Sequence, residues 1–206
     1  HLLHRWCAAH PGSPTLRALH INHGLQAAAG GWQRHCESVC RTLQLQLNTC
    51  TVDVHADGSG EAAARTARYR AFQQQLPPGA VLFLGHHLDD QVETFFLRLL
   101  RGAGVEGLAA MPRSRMLGEG LLVRPLLDYG RSEIEHYAAH YCLEYVEDPS
   151  NSSTLMDRNF LRAKLLPLLA SRWPGYRQTV ARASAHMAAA ARALTDRMGV
   201  PGVVHS

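Results

Sequence analysis

Between residues 16 and 101 the apolar positions of this chain switch period repeatedly, and that switching restricts the fold more than any single motif does. "LRALHIN" (16–22) is a short apolar run, after which Trp32, Cys36, Val39 and Leu43 recur at helical spacing on one face. "LQLNTCTVDV" (45–54) alternates as a strand does, and "EAAARTARYRAFQQQL" (61–76) reads as an alanine-rich helix stopped by "PPG" (77–79). "AVLFLG" (80–85) then reads as a buried strand running directly into "HHLDDQVETFF" (86–96). Val92, Phe95, Phe96, Leu99 and Leu100 mark the buried face of a helix from about Leu88 to Arg101, ended by "GAG" (102–104). Strands alternating with helices predict the α/β class, a mostly parallel sheet with helices on both faces. "GRSEIEHYAAHY" (130–141), "NFLRAKLLPLLASRW" (159–173) and an alanine-rich end predict a helical C-terminal segment.

A chain of 206 residues can bury a real core, and 46% hydrophobic against 18% charged residues places it among globular proteins. There is no run of about 18 apolar residues to span a bilayer and no secretory leader, so no membrane is expected. The five cysteines, Cys7, Cys36, Cys40, Cys50 and Cys142, are odd in number and contain no CxxC. Reduced thiols in the cytoplasm are therefore expected, not a disulfide framework or a zinc or iron–sulfur site. The formal charge of +4 and pI of about 9.0 favour an anionic partner only weakly. The arginines of "RTARYR" (65–70), "RNFLRAK" (158–164) and "RWPGYR" (172–177), interleaved with aromatics, suit phosphates and unstacked bases. Solvated helix faces explain them equally well.

The densest chemistry lies in "HHLDDQVETFF", after a strand, where open α/β sheets bind ligands. Asp89, Asp90 and Glu93 can converge on the first turn of a helix. There they could hold magnesium beside phosphates or orient an amine. Alternatively they cap the helix: Asp90 and Glu93 have capping-box spacing, and Asp89 suits an N-cap. His86 or His87 could accept a proton, or satisfy a backbone carbonyl.

At this level of detail the chain resembles the tRNA(Ile)-lysidine synthetases, members of the N-type ATP pyrophosphatase (PP-loop) superfamily. The resemblance runs from residue 2 to about 192 and rests on ordered matches: "LRALHINHGL" (16–25), "GEAAARTARYRAF" (60–72), "HHLDDQVETFFLRLLRGAGVEGLAAM" (86–111), "RPLL" (124–127) and "EDPSNSSTLMDRNFLRAKLLPLL" (147–169). It implies an adenine nucleotide alpha hydrolase-like fold. It further implies ATP-dependent ligation of lysine to C2 of a wobble cytidine through an adenylated cytidine, releasing pyrophosphate and AMP. ATP and Mg2+ are the implied cofactors. Free L-lysine and tRNA(Ile) with a CAU anticodon are the implied partners, with a homodimer left open. Catalytic roles fall to Asp89, Asp90, Glu93, His86, His87 and Arg68, and nucleotide contacts to His20, Asn22, His23, Arg65 and Arg68. Arg124, Arg158 and Arg162 would contact tRNA, and Asp89 with Asp90 would hold Mg2+. Residues 1–145 would form the catalytic domain, and 146–206 a helical linker and the start of tRNA recognition. Another tRNA-modifying enzyme of the superfamily, such as a cytidine thiolase, and a non-catalytic tRNA-binding domain stand as alternatives. The family's SGGxDS phosphate loop is absent, and "HLLHRWCAAH" (1–10) resembles the inside of the helix that follows it. The expectation is a fragment lacking its first strand and loop, rather than a natural loss of activity, with poor ATP binding as it stands.

Overall fold

The computed structural model describes residues 1–22, 29–52, 60–147 and 156–197, which fall into two compact units, 1–75 and 76–206. In the first unit, helix α1 (Leu2–Ala9) precedes strand β1 (Arg17–Asn22), helix α2 (Ala29–Thr42), strand β2 (Gln46–Thr51) and helix α3 (Gly60–Gln75). β1 and β2 are parallel, with Arg17 opposite Gln46 and Asn22 opposite Thr51, and α2 is the crossover between them. Val52 N–H donates to Asn22 O, so the pairing continues one residue past β2. The spacing expected for the first two strands and for the helices around 32–43 and 61–76 is thus realised.

The second unit begins with strand β3 (Val81–Phe83) and helix α4 (Leu88–Leu100), then a short helix α5 (Val105–Leu108), strands β4 (Ser114–Leu117) and β5 (Gly120–Val123), and helix α6 (Arg131–His140). Helix α7 (Asp157–Phe160), a π turn at Leu161–Leu165, helix α8 (Leu166–Arg172) and the long helix α9 (Tyr176–Arg197) complete it. Its sheet has the order β3-β5-β4, parallel between β3 and β5 and antiparallel between β4 and β5. The β4–β5 hairpin was not expected from the sequence. Its two-residue turn has Gly118 at φ +59° in the first central position, where a type II′ turn needs glycine. β3 is also less buried than an apolar run suggests, since Val81 and Phe83 are exposed.

Helix α4 forms as expected, and Gly102 at φ +74° follows its C-cap, but its buried face is different. Leu99 and Leu100 are exposed, whereas Leu88, Gln91, Val92 and Glu93 are buried. Leu88, Val92 and Phe96 supply the apolar stripe at i, i+4 spacing, and Val92 packs with Leu166, Tyr176, Leu169 and Val180. Periodicity could not place Gln91 or Glu93 inside, because each is buried by specific polar partners. Gln91 donates to Met111 O at 3.1 Å and accepts from Met111 N–H at 3.0 Å, while Ser184 on α9 donates to Ala109 O at 2.7 Å. These bonds tie α4 and α9 to the stretch after α5.

The expected helix at 159–173 is three pieces. Pro167 has no N–H to give the carbonyl one turn earlier, and the preceding turn is π, with Leu166 N–H donating to Leu161 O. Gly120 sets a tighter constraint: a Cβ there would lie 2.4 Å from Leu76 Cδ2 and 2.8 Å from the Ala80 carbonyl oxygen. Gly120→Ala is therefore expected to cost about 1–3 kcal/mol by overpacking, measured as a lowered urea midpoint with an unchanged slope.

Candidate active site

The site is built where α4 begins, just beyond the carboxyl end of β3. His87 is the N-cap of α4, and its backbone N–H donates to Asp90 Oδ2 at 3.1 Å. Asp90 therefore does cap the helix, but it caps with His87; the Asp90–Glu93 box and the Asp89 N-cap are not formed. Asp89 instead reaches the N-terminus of α6, accepting from Arg131 N–H at 2.7 Å, and its other oxygen accepts from Arg177 Nε at 2.6 Å. A carboxylate between two helix N-termini is favoured by both dipoles. Burial pushes the Asp89 carboxyl up, yet the Arg131 N–H, the Arg177 guanidinium and His87 together bring it below the ordinary value.

Glu93 lies one turn further along and is only 1% exposed. Arg158 Nε donates to its Oε2 at 2.8 Å, and Arg162 donates through Nε to Oε1 at 2.8 Å and through Nη2 to Oε2 at 2.9 Å. The hydrogen bonds to Glu93 push the Arg162 guanidinium up against the effect of burial. Arg158 also approaches Asp90 Oδ1 at 3.8 Å and Thr94 Oγ1 at 3.4 Å. Arg158 and Arg162, expected to contact RNA, are thus brought to Glu93 across 65 and 69 residues of sequence.

Arg124, the third expected RNA contact, is 2% exposed. It donates through Nη1 to Pro112 O at 2.8 Å and through Nε to His86 Nδ1 at 3.3 Å. That burial suits internal positioning and not a surface contact. His87 Nδ1 lies 3.7 Å from Asp89 Oδ2 and Nε2 lies 3.5 Å from Asp90 Oδ2, and Nδ1 has no hydrogen-bond partner among the described residues.

A cleft of about 510 Å³ opens beside these groups, the size of small-molecule sites. Asp89, Glu93, Glu133 and Glu135 contribute carboxylates to it, and Arg131, Arg162 and Arg177 contribute guanidinium groups. Four acids against three arginines leave its wall at −1. Tyr176, 6% exposed, lies beneath the Arg177 guanidinium, 4.9 Å from ring centroid to Cζ, and its hydroxyl has no partner among the described residues. Burial pushes that phenol up, the Arg177 charge opposing and Asp89 and Glu93 adding to it. Sequence reasoning missed Arg131 and Tyr176 as site residues and saw Arg177 only as part of a basic cluster. Asp89 and Asp90, the carboxylates expected to hold Mg2+, are engaged with protein donors. Three of their four oxygens accept hydrogen bonds, and no group of three histidines, cysteines or acids among the described residues could hold an ion.

The other expected nucleotide contacts lie in the first unit. His20 Nδ1 is 3.6 Å from Cys36 Sγ, and burial lowers its imidazole below the ordinary value, with Glu37 opposing. Asn22 donates to Gln33 Oε1 at 3.3 Å. Arg65 donates to Tyr69 Oη at 3.2 Å and sits over its ring, and Arg68 is exposed on the same helix. His23 lies outside the described residues.

Asp90 and Glu93 look equivalent in sequence; the geometry separates them. Glu93→Ala leaves two arginines without their buried partner and is expected to cost about 3–5 kcal/mol, against about 1 kcal/mol for Asp90→Ala, which removes a cap. Urea unfolding of both variants at neutral pH checks this. Asp89 also predicts an acid limb. Its folded-state carboxyl is depressed, so its stabilisation is fully present above about pH 4 and is lost as pH falls through the lower folded value. Asp89→Asn should flatten stability against pH in that window; an unchanged slope contradicts the assignment.

The comparisons with known proteins bear on these same residues. Residues 1–169 match the model of the PP-loop domain family. The tRNA(Ile)-lysidine synthase of Pseudomonas aeruginosa is 55% identical over 174 residues, covering 84% of this chain and 39% of that protein. That of Pseudomonas putida is 51% identical, covering 91% and 44%, and that of Methylococcus capsulatus is 46% identical, covering 89% and 42%. The chain thus spans about two fifths of the length of the curated relatives it matches. In fold it is similar to the U34-tRNA thiolase NcsA of Methanococcus maripaludis, solved with its 4Fe–4S cluster, at TM-score 0.70 and 17% identity over 90% of this chain and 66% of that one. The α/β architecture, the "HHLDDQVE" turn at the end of a parallel strand and a family match across 169 residues lead to one assignment: the chain belongs to the ATP-binding PP-loop domain family.

Proposed function

We propose that this chain is the catalytic portion of a tRNA(Ile)-lysidine synthetase, a cytoplasmic ligase that joins free lysine to C2 of the wobble cytidine in tRNA(Ile) with a CAU anticodon. The observation that carries the reading is the cleft at the start of α4, whose acids outnumber its arginines by one. Lysine at neutral pH carries two ammonium groups and one carboxylate, a net charge of +1, which complements that wall. High identity to lysidine synthases across most of the chain supports the same substrate.

In the first step the cytosine O2 attacks the α-phosphate of ATP, and pyrophosphate leaves. Magnesium would arrive with ATP and neutralise its phosphates. Asp89 is already committed to Arg131 and Arg177. In the second step the amine of lysine attacks C2 and AMP leaves. Only a neutral amine can attack, and deprotonating lysine at pH 7 costs about 4–5 kcal/mol. His87, which lines the cleft and faces Asp89 and Asp90, is placed to receive that proton. Arg131 and Arg177 retain guanidinium nitrogens for the carboxylate of the amino acid. The exposed Arg65 and Arg68 of α3 suit a nucleotide or RNA phosphate. Residues beyond 146 take part in this chemistry, since Arg162, Tyr176 and Arg177 line the cleft. The chain contains no CxxC, which disfavours a cluster-dependent thiolase.

The test grafts the 187-residue matching stretch of this chain, which carries Tyr176 and Arg177, onto the Pseudomonas putida relative in place of its own segment, and measures incorporation of labelled lysine into tRNA(Ile) bearing CAU, with ATP. Incorporation that requires Asp90 is expected. A folded chimera that binds this tRNA and transfers no lysine sinks the proposal.

A further inference from the structure

We propose that Tyr176 is a binding residue for a primary ammonium group: its hydroxyl, with Nδ1 of His87, receives the side-chain ammonium of an amino acid in the cleft. The site stands on geometry; the choice of lysine as the amino acid rests on the lysidine reading above.

Buried polar groups in folded proteins are almost always paired, so an unpaired one marks a place where a partner is missing. Among the described residues two buried side-chain atoms lack a partner, His87 Nδ1 and Tyr176 Oη, and both residues line the same cleft. The acids around them are already engaged. Asp89 accepts from Arg131 N–H and from Arg177 Nε, and Asp90 Oδ2 accepts from the backbone N–H of His87. Both oxygens of Glu93 are taken by Arg158 and Arg162. Burial pushes the Tyr176 phenol up, with Arg177 opposing and Asp89 and Glu93 adding, so the two carboxylates act on the hydroxyl without bonding to it.

The tyrosine is not placed to turn toward another partner. Its ring packs with Val92 and Leu166 and against Phe96, Leu169 and Val180, and its backbone N–H donates to Trp173 O at 3.0 Å. A phenylalanine ring would supply the same packing, so the core does not account for the hydroxyl. The partner must therefore come from the cleft. The hydroxyl is closed to water, and the half-exposed Arg177 side chain lying over the ring is the group on the wall that a ligand would displace to reach it. The chemistry of that ligand follows from the two atoms and the charges beside them. His87 Nε2, 3.5 Å from Asp90 Oδ2, is the ring nitrogen nearer a carboxylate, so the neutral ring keeps its proton there and offers a lone pair at Nδ1. A lone pair and a hydroxyl both accept from an N–H, and the excess of acids on the wall selects an N–H that belongs to a cation. A primary ammonium carries three such donors on one compact centre, whereas a guanidinium is broad and planar. Arg131, exposed on the same wall, is left for the carboxylate at the other end of the amino acid. An ammonium bound in this way can pass a proton to Nδ1 and keep the electron pair, and the imidazolium formed lies between Asp89 and Asp90.

The experiment compares the 206-residue chain with its Tyr176→Phe variant. Because the hydroxyl is unpaired in the free chain, the variant should unfold at the same urea concentration or a higher one. A lower midpoint shows that the hydroxyl has a structural partner and overturns the proposal. Calorimetric titration with L-lysine should show binding about tenfold weaker in the variant, the loss of one hydrogen bond to a charged group. L-norleucine, which is lysine without the terminal nitrogen, should bind both proteins alike and more weakly than lysine binds the parent. Equal lysine affinity in the two proteins, no preference for lysine over norleucine in the parent, or no lysine binding by the parent overturns the ammonium site. In the chimera, Tyr176→Phe should raise KM for lysine about tenfold and leave kcat and the KM for ATP within about threefold, and a fall in kcat alone contradicts a binding role. An inactive parent chimera, beside tyrosine-dependent lysine binding in the 206-residue chain, counts against the lysidine reading and leaves the ammonium site standing.

Discussion

The second unit is organised by one carboxylate. Glu93 is buried, and three guanidinium hydrogen bonds from Arg158 and Arg162 hold it. Burying a charge is unfavourable unless it is paired and fully hydrogen-bonded, so α4 and the helical segment beginning at Asp157 must dock in one register. The π turn at Leu161–Leu165 belongs to that register, since it sets the pitch between Arg162 and the core residue Leu166. With α8 fixed, Tyr176 and Val180 at the start of α9 close over Val92, and Arg177 is delivered to Asp89. The clamp thus determines the wall of the cleft as well as the stability of the helices around it.

How far this was legible in the sequence depends on the kind of interaction. The first strands, α2, α3, α4 and α6 follow from apolar spacing, because water exclusion acts on every turn alike. The β4–β5 hairpin was missed although "LGEG" carries its turn glycine, because four-residue strands give too little alternation to stand out. The inner face of α4 was misread for a different reason. Gln91 and Glu93 are polar, and their burial is dictated by Met111, Arg158 and Arg162, none of them adjacent in sequence. Periodicity carries no information about partners 20 to 69 residues away.

The same limit applies to the site. "HHLDDQVE" located the chemistry by its density and its place after a strand. Its internal division of labour was invisible, since Asp89, Asp90 and Glu93 look alike in sequence and differ only in what faces them. Asp90 caps its own helix, Asp89 bridges to α6 and α9, and Glu93 anchors the clamp. Arg131 had no signal at all: it enters the site because α6 starts where the Asp89 carboxylate can accept its N–H.

For the proposed lysine transfer, this division bears on a conflict inherent in the chemistry. A bare carboxylate that grips an ammonium also raises its pKa and so delays the deprotonation that attack requires. In the cleft the inner carboxylates are already compensated, Glu93 by two arginines and Asp89 by Arg177 and the Arg131 N–H. The Glu133 carboxylate accepts from Gly130 N–H and that of Glu135 from Arg131 Nε. An amine entering such a wall meets a weak net negative field and not an isolated anion. Under that proposal it would be recognised by charge and still give up its proton, because the arginines that hold the acids in place also temper their pull on it.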